Sequence, residues 1–488
     1  MSRQKAQKPI GDKKIDMRSY NNLYEKILQD DYIRECFKDA AKKKSKRRDV
    51  KKILENLDAE VGILKGIMTD EMFIPDYHEK CVINENNCHK TRRILKPHYR
   101  YEQVVHHLAI GQFRPIVMNG LYEFSCGSIP GRGVHYGKKF MKKWIESYGG
   151  KKMYVLKMDI HHFFESIDRT ILKGKLREVI RDRRFYRLLC VLIEFDRIAE
   201  TVKILEDVAM EMSVSEVREL VSCIAFDNDT GAYKVLRGAG VWGETLESAM
   251  RVIRERRKGV PLGYFTSQWF GNFYLKKLDH YIKQELGAVH YMRYMDDMVI
   301  LGKSKKKLHA VQKAIEAYLQ KELKLELKGD WQVFRFEYVA KDGTVCGRML
   351  DFMGFQFHRD RITMRKSTIQ RARAKAFRIK AKDKVTWYDA AVMLSYMGWF
   401  DHTDTYDYYL KYIKPNVNVK KLKKVVSKHQ RKENERERLE NGNGNTTGAS
   451  GGGRQGIIAD DGISAKEHPA GGAERDGGFR GDGQSVAV

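Results

Sequence analysis

Short runs of apolar, strand-forming residues recur along this chain, and acidic side chains interrupt or end two of them. Residues 153–160 predict a strand that reaches Asp159, and residues 290–302 predict a hairpin with Asp296 and Asp297 at its turn. Neighbouring carboxylates repel each other, so a turn that holds both between buried strands carries an electrostatic cost. A divalent cation offsets this cost because Mg²⁺ prefers carboxylate oxygens.

Helical periodicity dominates most of the remaining sequence. It covers the segments 1–75, 169–181, 306–323 and 365–425. Residues 196–257 are also helical in pattern and lie between two groups of motifs, so we interpret them as an insertion. The last 48 residues contain 14 glycines and few bulky apolar groups, which predicts a disordered tail over residues 431–488.

The net charge of +28 and the pI near 9.6 indicate a polyanionic partner. Residues 431–488 hold slightly more acidic than basic side chains, so the excess lies in residues 1–430. The basic run 41–52 is either a solvated helix face or a contact with a phosphate backbone. A generically basic protein is the alternative to a nucleic-acid partner.

Cysteine usage and hydropathy indicate a cytosolic protein. The seven cysteines are scattered and odd in number, which is typical of reduced thiols. His78, Cys81, Cys88 and His89 match no standard zinc spacing, so we expect no zinc site there. No apolar run approaches the roughly 20 residues of a membrane span, and the N-terminus lacks the apolar core of a signal peptide.

The three aspartates predict a metal site for phosphoryl transfer. A strand that delivers Asp159 before a helix, upstream of the hairpin, brings it beside Asp296 and Asp297 on neighbouring strands. Two metal ions about 4 Å apart can then clamp the attacking hydroxyl and the leaving pyrophosphate. Asp159 could instead cap the next helix, but Ser166 and Asp168 lie nearer its start and suit that role better.

The order and spacing of motifs from about 90 to 415 resemble bacterial reverse transcriptases, above all those of diversity-generating retroelements, which are related to group II intron and retron enzymes. The Tyr-Met-Asp-Asp turn at 294–297 resembles their catalytic turn. The resemblance implies an α+β right-hand polymerase with an antiparallel-sheet palm. The expected domains are a helical N-terminal region (1–75), fingers and palm (76–358) and a helical thumb (359–430).

The resemblance also implies the ligands of the cofactor and a contact to the sugar. Asp159, Asp296, Asp297 and the backbone of Ile160 would hold two Mg²⁺ ions, which Mn²⁺ could replace. Phe164 would exclude a 2′-hydroxyl and so favour dNTPs. Its neighbour Phe163 is expected in the core.

Residues 259–275 resemble the block that lies over the templating base pair. Most relatives carry Gln-Gly and Ser-Pro there, whereas this chain has Leu262-Gly263 and Ser267-Gln268, the variant typical of diversity-generating retroelements. A glutamine could hydrogen-bond the incoming sugar, and Leu262 cannot. We therefore expect loose nucleotide selection, and the resemblance implies that misincorporation occurs opposite template adenine.

Further contacts follow from the same resemblance. Arg93 would grip the triphosphate, and Lys328, in preference to Lys324, would protonate pyrophosphate. The glycines around Arg132 would let the backbone approach the template, unless this segment is a simple surface turn. The expected primer grip is Phe352, Met353 and Gly354. The basic thumb residues expected on the RNA–DNA duplex include Arg371, Arg373 and Lys375.

These features predict a cytoplasmic, bacterial or phage-encoded RNA-directed DNA polymerase. Its expected partners are an RNA template, cDNA, dNTPs and a small basic accessory protein, with no membrane. An antiphage-defence or retron-like reverse transcriptase that uses a structured non-coding RNA shares every catalytic residue. A group II intron protein would need a maturase region after the thumb. A non-catalytic RNA-binding protein is the alternative of another class, and three converging acids argue against it.

Overall fold

The computed structural model describes residues 19–42, 44, 47–78, 81–85 and 90–442. The chain divides into two compact units. The first contains residues 1–132 and 154–333, and the second contains residues 133–153 and 334–488. Within the described ranges, no helix is long and apolar enough to cross a membrane.

Helices make up most of the described structure. In chain order they are α1 (Leu23–Ile27), α2 (Asp30–Ala41), α3 (Arg48–Glu55), α4 (Leu57–Thr69), α5 (Val104–Met118), α6 (Val134–Ser147), α7 (Phe163–Ser166), α8 (Arg169–Val179), α9 (Arg183–Ile193), α10 (Phe195–Asp207), α11 (Val214–Ala225), α12 (Asp229–Gly238), α13 (Gly243–Arg254), α14 (Phe265–His280), α15 (Lys305–Tyr318), α16 (Lys366–Lys380), α17 (Trp387–Asp401), α18 (Tyr406–Tyr408) and α19 (Val419–Gly442).

The strands form small and mostly antiparallel sheets. They are β1 (Cys81–Glu85), β2 (Lys90–Ile94), β3 (Ser125–Cys126), β4 (Tyr154–Asp159), β5 (His290–Tyr294), β6 (Asp297–Gly302), β7 (Gln332–Arg335), β8 (Tyr338–Val339), β9 (Val345–Cys346), β10 (Leu350–Phe352), β11 (Phe355–Phe357) and β12 (Ile362–Met364). The described fold is therefore a mixture of helices and sheets, as the sequence predicted.

The central sheet of the first unit has the strand order β3-β5-β6-β4-β7. Strands β5 and β4 both run antiparallel to β6, whereas β3 runs parallel to β5. The register of β4 on β6 extends from Tyr154 opposite Gly302 to Asp159 opposite Asp297. Apolar residues of both strands, such as Leu156 and Val299, are buried, which explains their nearly continuous apolar sequence.

The helices of the first unit begin and end close to the predicted residues. The carboxylate of Asp168 accepts a hydrogen bond of 3.0 Å from the backbone nitrogen of Ile171, so Asp168 caps α8 as predicted. The helix predicted over 306–323 is α15 followed by a wider helical turn at Leu319–Leu323.

Residues 196–257, interpreted above as an insertion, form α10 to α13 and belong to the core of the first unit. Their buried side chains lie in one continuous apolar cluster with those of α5, α9 and α14; they include Ile198, Leu220, Leu236 and Ile253. These helices therefore supply part of the core of the first unit.

The second unit has its own core. The sheet β10-β11-β12 is antiparallel, and buried side chains of α16, α17 and α19 pack together beside Met364. Its longer segment begins at residue 334, within the range 76–358 that the sequence assigns to fingers and palm. The rings of Phe355 and Trp399 lie 5.1 Å apart, so β11 packs against α17.

Helix α19 continues to Gly442, past residue 431, where the tail was predicted to begin. The sequence of residues 431–440 is almost entirely Arg, Lys, Glu and Leu, which favour helix and contain no glycine to end it. The rest of the predicted tail lies outside the described residues.

Candidate active site

Three aspartates meet at one end of the central sheet. Asp159 is the last residue of β4 and lies directly opposite Asp297, the first residue of β6. Directly opposed residues point to the same face, with Cβ atoms about 4.5–5.5 Å apart. Asp296 lies in the two-residue turn between β5 and β6. All three side chains are half-buried, so they remain accessible to an ion.

The turn that carries Asp296 contains a backbone conformation that side chains rarely adopt. Met295 has φ +56°, which costs energy for a residue other than glycine. Several contacts hold it. The nitrogen of Met295 donates to the carbonyl of Cys126 (3.1 Å), and its carbonyl accepts from Nη1 of Arg293 (2.9 Å). Gly127 leaves room for the Met295 side chain. The surrounding structure therefore fixes the turn.

A buried ion pair lies beneath this turn. Arg293 in β5 donates from Nε and Nη2 to the two carboxylate oxygens of Asp279 in α14, at 2.8 and 2.6 Å, and both side chains are fully buried. Asp279 also accepts from the hydroxyls of Ser125 (2.7 Å) and Tyr291 (2.8 Å). Burial disfavours the charged guanidinium, but the pKa of Arg293 is raised overall because Asp279 lies beside it.

The network reaches the turn through the third guanidinium nitrogen. Nη1 of Arg293 contacts both the Met295 carbonyl and Oδ1 of Asn272 (3.2 Å). One buried side chain thus links helix α14, strand β5 and the turn before Asp296. A bidentate guanidinium fixes direction as well as charge, so Arg293 orients the backbone that carries the acids.

The segment after α15 extends the sheet beyond Asp159. The nitrogen of Lys328 donates to the Asp159 carbonyl (2.8 Å), and the backbone of Ile160 pairs with Leu327. Nζ of Lys328 contacts Asp330 at 2.9 Å. This hydrogen bond raises the pKa of Lys328, and Asp159 and Asp297 add to the shift. Lys328 therefore stays protonated close to the aspartates. Lys157 Nζ also lies 3.8 Å from Asp297.

The two phenylalanines of α7 differ in exposure, as predicted. Phe163 is buried in the core, whereas Phe164 is half-buried. The carbonyl of Phe164 accepts from the nitrogen of Val260 at 2.8 Å, which fixes the 259–264 segment beside α7.

Leu262 and Gly263 lie where this segment passes the strand-to-helix connection before α5. The Leu262 carbonyl accepts from the nitrogen of Leu95 (2.9 Å). Gly263 has φ +108°, and an added Cβ would overlap the Leu95 carbonyl. Only glycine fits this close approach. The side chains of Leu262 and of Gln268, in the first turn of α14, are half-buried.

Helix α5 supports the start of α14 through a buried histidine. Nδ1 of His106 lies 3.0 Å from Oγ1 of Thr266. Burial lowers the pKa of His106 to about 3. The ring is therefore neutral at physiological pH and acts as a hydrogen-bonding group of the core.

A buried cluster of charged side chains connects α10 to the 259–264 segment. Glu194 accepts from Nη1 of both Arg169 (3.2 Å) and Arg197 (3.0 Å). Nε of Arg169 donates to the carbonyl of Gly259 at 2.8 Å. The helical layer after residue 195 therefore helps to position the glycine at which the 259–264 segment begins.

Arg93 and Arg132 are two further residues of the first unit that were predicted to contact the substrate or the template. Arg93 lies in β2 opposite Val82, but its side chain is outside the described residues. Nη1 of Arg132 donates to the carbonyl of Tyr122 at 3.1 Å, and the Arg132 carbonyl accepts from the nitrogen of Gly127. The glycine-rich segment before α6 thus forms a closed turn.

The predicted primer grip of the second unit is a tight hairpin turn. Met353 and Gly354 both have positive φ, at +52° and +84°, and join β10 to β11. This pair of angles matches a type I′ turn. A Cβ at Gly354 would lie 2.6 Å from the Trp399 ring, so the position requires glycine. Phe352 is buried.

The predicted thumb residues lie on α16 but differ in exposure. Arg373 is exposed, with its guanidinium 4.6 Å from the centre of the Tyr412 ring. Arg371 is half-buried. Nζ of Lys375 is 2.7 Å from the buried Asp389. A phosphate contact by Lys375 therefore competes with an internal ion pair.

Residues that sequence reasoning missed form the support of the site. Neither Asp279 nor Arg293 is among the residues predicted from the sequence. The sequence signal that could have found them is a charged residue among apolar neighbours. Arg293 lies between Met292 and Tyr294, and Asp279 follows Leu278. Such pairs are expected to satisfy each other when buried.

No protein-family model and no curated protein matches this sequence. Among solved structures, similarity is found to telomerase from Candida albicans in complex with a TWJ fragment of telomeric RNA, with 12% identity, a TM-score of 0.35 and coverage of 71% of this chain and 56% of that chain. The corresponding telomerase complex from Candida tropicalis has 11% identity and a TM-score of 0.36, with coverage of 74% of this chain and 54% of that chain. The chain spans about half the length of these structures. The assignment of an activity therefore rests on this chain's own residues.

Proposed function

We propose that this chain is an RNA-directed DNA polymerase. The observation that carries the proposal is the opposition of Asp159 and Asp297 across β4 and β6, with Asp296 in the adjoining turn. Three carboxylates repel both one another and a phosphate backbone, so they hinder simple nucleic-acid binding. Nucleotidyl transfer requires them to hold hard cations. Mg²⁺, or Mn²⁺ in its place, would supply Lewis-acid stabilisation of the phosphoryl oxygens.

The chain's own residues prepare the site before substrate arrives. The Arg293–Asp279 pair and the fixed turn at Met295 hold the acids in place, so little reorganisation is needed during reaction. Lys328 keeps its proton at neutral pH, which supports its proposed role of donating a proton from Nζ to the leaving pyrophosphate.

Selection of the nucleotide is assigned to the segments around α7 and α14. Phe164 excludes a 2′-hydroxyl by its bulk, and Arg93 grips the triphosphate. Leu262 lies on a backbone fixed by Leu95 but offers no polar atom to the incoming sugar. Leu262 and Gln268 therefore tolerate misplaced nucleotides, and synthesis is error-prone.

The strongly basic composition supports a template–primer duplex as the ligand. The primer end is assigned to the turn at 352–354 and the template to the turn that holds Arg132. We assign the contacts with the phosphates of the duplex to Arg371, Arg373 and Lys375. Lys375 would have to give up its ion pair with Asp389 to make this contact. A small basic accessory protein is a further proposed partner.

Primer extension on an RNA template tests the activity. The purified chain is supplied with dNTPs and Mg²⁺ or Mn²⁺, and wild type is compared with Asp297→Asn. Asp207→Asn is the matched control, since Asp207 is exposed on α10 with a weak contact of 3.8 Å to Lys203. Wild type and the control should extend the primer, and Asp297→Asn should lose at least two orders of magnitude in rate.

Two results would overturn the proposal. One is equal extension by wild type and Asp297→Asn. The other is no extension by wild type with any RNA template, combined with tight RNA binding by both proteins, which would favour a non-catalytic RNA-binding protein.

The biological role that we propose is that of a diversity-generating retroelement. Leu262 carries this step, because a residue without a hydrogen-bonding group should permit errors, which the resemblance to these enzymes places opposite template adenine. The test replaces Leu262 by Gln and sequences the cDNA; errors at adenine should fall while synthesis continues. Unchanged error spectra contradict it. The RNA that copurifies separates this role from its rival: a structured non-coding RNA without imperfect repeats would indicate a retron-like or antiphage-defence enzyme.

A further inference from the structure

A second cluster of potential metal ligands lies at the base of the β1–β2 hairpin. Asp76 and His78 precede β1, and His98 follows β2. One donor atom from each of the three lies within 4.8 Å of the other two. Oδ2 of Asp76 is 3.0 Å from Nδ1 of His98, and the rings of His78 and His98 meet nearly edge to face, with centroids 4.8 Å apart.

A buried carboxylate orients this cluster from behind. Glu102 is 2% exposed and accepts from Nε2 of His78 (2.6 Å), from the backbone nitrogen of His98 (2.9 Å) and from the hydroxyl of Tyr264 (3.0 Å). An ionised carboxylate can only accept, so Nε2 of His78 carries the proton. In the neutral ring the other nitrogen keeps its lone pair, which is the tautomer that a metal requires. The hydrogen bond to Glu102 also raises the pKa of His78, so a metal ion competes with a proton at this nitrogen.

The donor types fit zinc. Two ligands at about 2.0–2.1 Å from one Zn²⁺ lie about 3.4 Å apart in a tetrahedral site. The 3.0 Å contact between Asp76 and His98 is a hydrogen bond in this structure, so an ion would replace its proton and draw the three side chains around itself. Two imidazoles with one carboxylate favour Zn²⁺ over Mg²⁺, which prefers oxygen ligands. The side chain of His98 is 68% exposed and that of Asp76 is 51% exposed, so an ion can enter from solvent.

We propose that Asp76, His78 and His98 bind one Zn²⁺ ion, with Glu102 as the hydrogen-bonding support of His78. This set shares only His78 with the four residues that were rejected from the sequence as a zinc site. The ion would tie the two ends of the β1–β2 hairpin together and, through Glu102 and Tyr264, to the start of α14. Closing a loop with a metal limits the freedom of the chain between its ends.

Metal binding to the full chain tests the site. After treatment with a chelator, the protein is titrated with Zn²⁺ by calorimetry and with Co²⁺ by visible absorption. The variants are Asp76→Asn, His98→Gln and Glu102→Gln. The controls are the double variant Cys81→Ser with Cys88→Ser and, for the aspartate site, Asp297→Asn. Wild type and both controls should bind one Zn²⁺, and the cobalt spectrum should lack a sulfur-to-metal charge-transfer band.

The variants should show graded losses. His98→Gln and Asp76→Asn should lose the Zn²⁺ site, and Glu102→Gln should bind 10 to 100-fold more weakly, since it keeps the ligands but weakens their orientation. Hydrogen exchange of the β1 and β2 amides should slow on zinc addition in wild type but not in His98→Gln. Equal melting temperatures of His98→Gln and chelated wild type establish that the variant is folded.

Three outcomes would refute the site. The first is the absence of Zn²⁺ binding by wild type. The second is binding of equal affinity by wild type and His98→Gln. The third is loss of the ion in the cysteine double variant, which would place it on the thiols. None of these outcomes affects the proposed polymerase activity, because the aspartates at 159, 296 and 297 are a separate set.

Discussion

Replacement of Arg293 by Met should destabilise the first unit and inactivate the site for separable reasons. The variant removes the guanidinium that pairs with Asp279 while keeping a long apolar side chain. Asp279 is then left buried with only the hydroxyls of Ser125 and Tyr291 as donors. Removing one partner of a buried ion pair costs about 3–5 kcal/mol. This is a large share of the roughly 5–15 kcal/mol by which domains are stable.

The double variant Arg293→Met with Asp279→Asn separates charge from geometry. Asparagine is neutral, so the uncompensated charge disappears. Its carbonyl oxygen can accept from one of the two hydroxyls, and its amide nitrogen can donate to the oxygen of the other. The two substitutions should therefore be non-additive by about 0.5–3 kcal/mol in favour of the double variant. The Met295 carbonyl still lacks its donor, so the turn remains unsupported. Stability should recover in part, whereas nucleotide addition should not.

Urea unfolding followed by tryptophan fluorescence measures these effects, since Trp269 is buried in α14. Arg34→Met is the matched control, because Arg34 pairs with Asp31 and Asp58 at exposed positions and should cost less than about 1 kcal/mol. A loss below 1 kcal/mol in Arg293→Met would refute the assigned energetics. Full activity in the double variant would refute the positioning role of Arg293.

Three further predictions follow from the same structure. Burial lowers the pKa of His106 from 6.5 to about 3, so below about pH 6.5 the unfolded chain binds a proton that the folded chain does not. The free energy of unfolding should therefore fall by about 1.4 kcal/mol per pH unit as the pH drops below 6.5. His106→Gln should remove this part of the acid dependence of the urea midpoint. Gly263→Ala should destabilise the protein by more than about 1 kcal/mol. Gly62→Ala should stabilise it by about 0.5–1 kcal/mol, because Gly62 lies in α4 with open space around it. Equal urea midpoints of the two variants would contradict this prediction. Neutralising the exposed Lys366 and Arg373 of α16 should reduce the salt dependence of RNA–DNA duplex affinity; an unchanged slope would exclude α16 as a phosphate contact.

The local pattern was sufficient for the elements that carry the acids. The strand ending at Asp159 and the hairpin at Asp296 and Asp297 formed where period and turn chemistry predicted them. The cap at Asp168 and the turn at Met353 and Gly354 were likewise readable, because each depends on residues within a few positions. The roles of these residues in catalysis stay predictions.

The place of α10 to α13 in the core was not readable from the sequence, because a surface helix and a helix of a core layer have the same periodicity. Their interpretation as an insertion stays a prediction. Helical spacing identifies an apolar face but not the surface that covers it. Only the structure shows that Glu194 and Arg197 form a buried cluster with Arg169, which precedes them in the sequence by 25 residues or more. The compact units follow contacts in space, so residues 133–153 belong to the second unit although the residues on both sides of them in the sequence belong to the first. The predicted domain bounds stay predictions.

The sequence by itself determined which elements form and which of them end in acids, because helix period, strand alternation and turn preferences are properties of neighbouring residues. Tertiary structure decided that Asp159 lies opposite Asp297, that Arg293 and Asp279 neutralise each other beneath the turn, and that His78 lies beside Asp76 and His98. Buried charges and metal ligands are selected by their neighbours in space, and a single sequence does not state which distant residues those neighbours are.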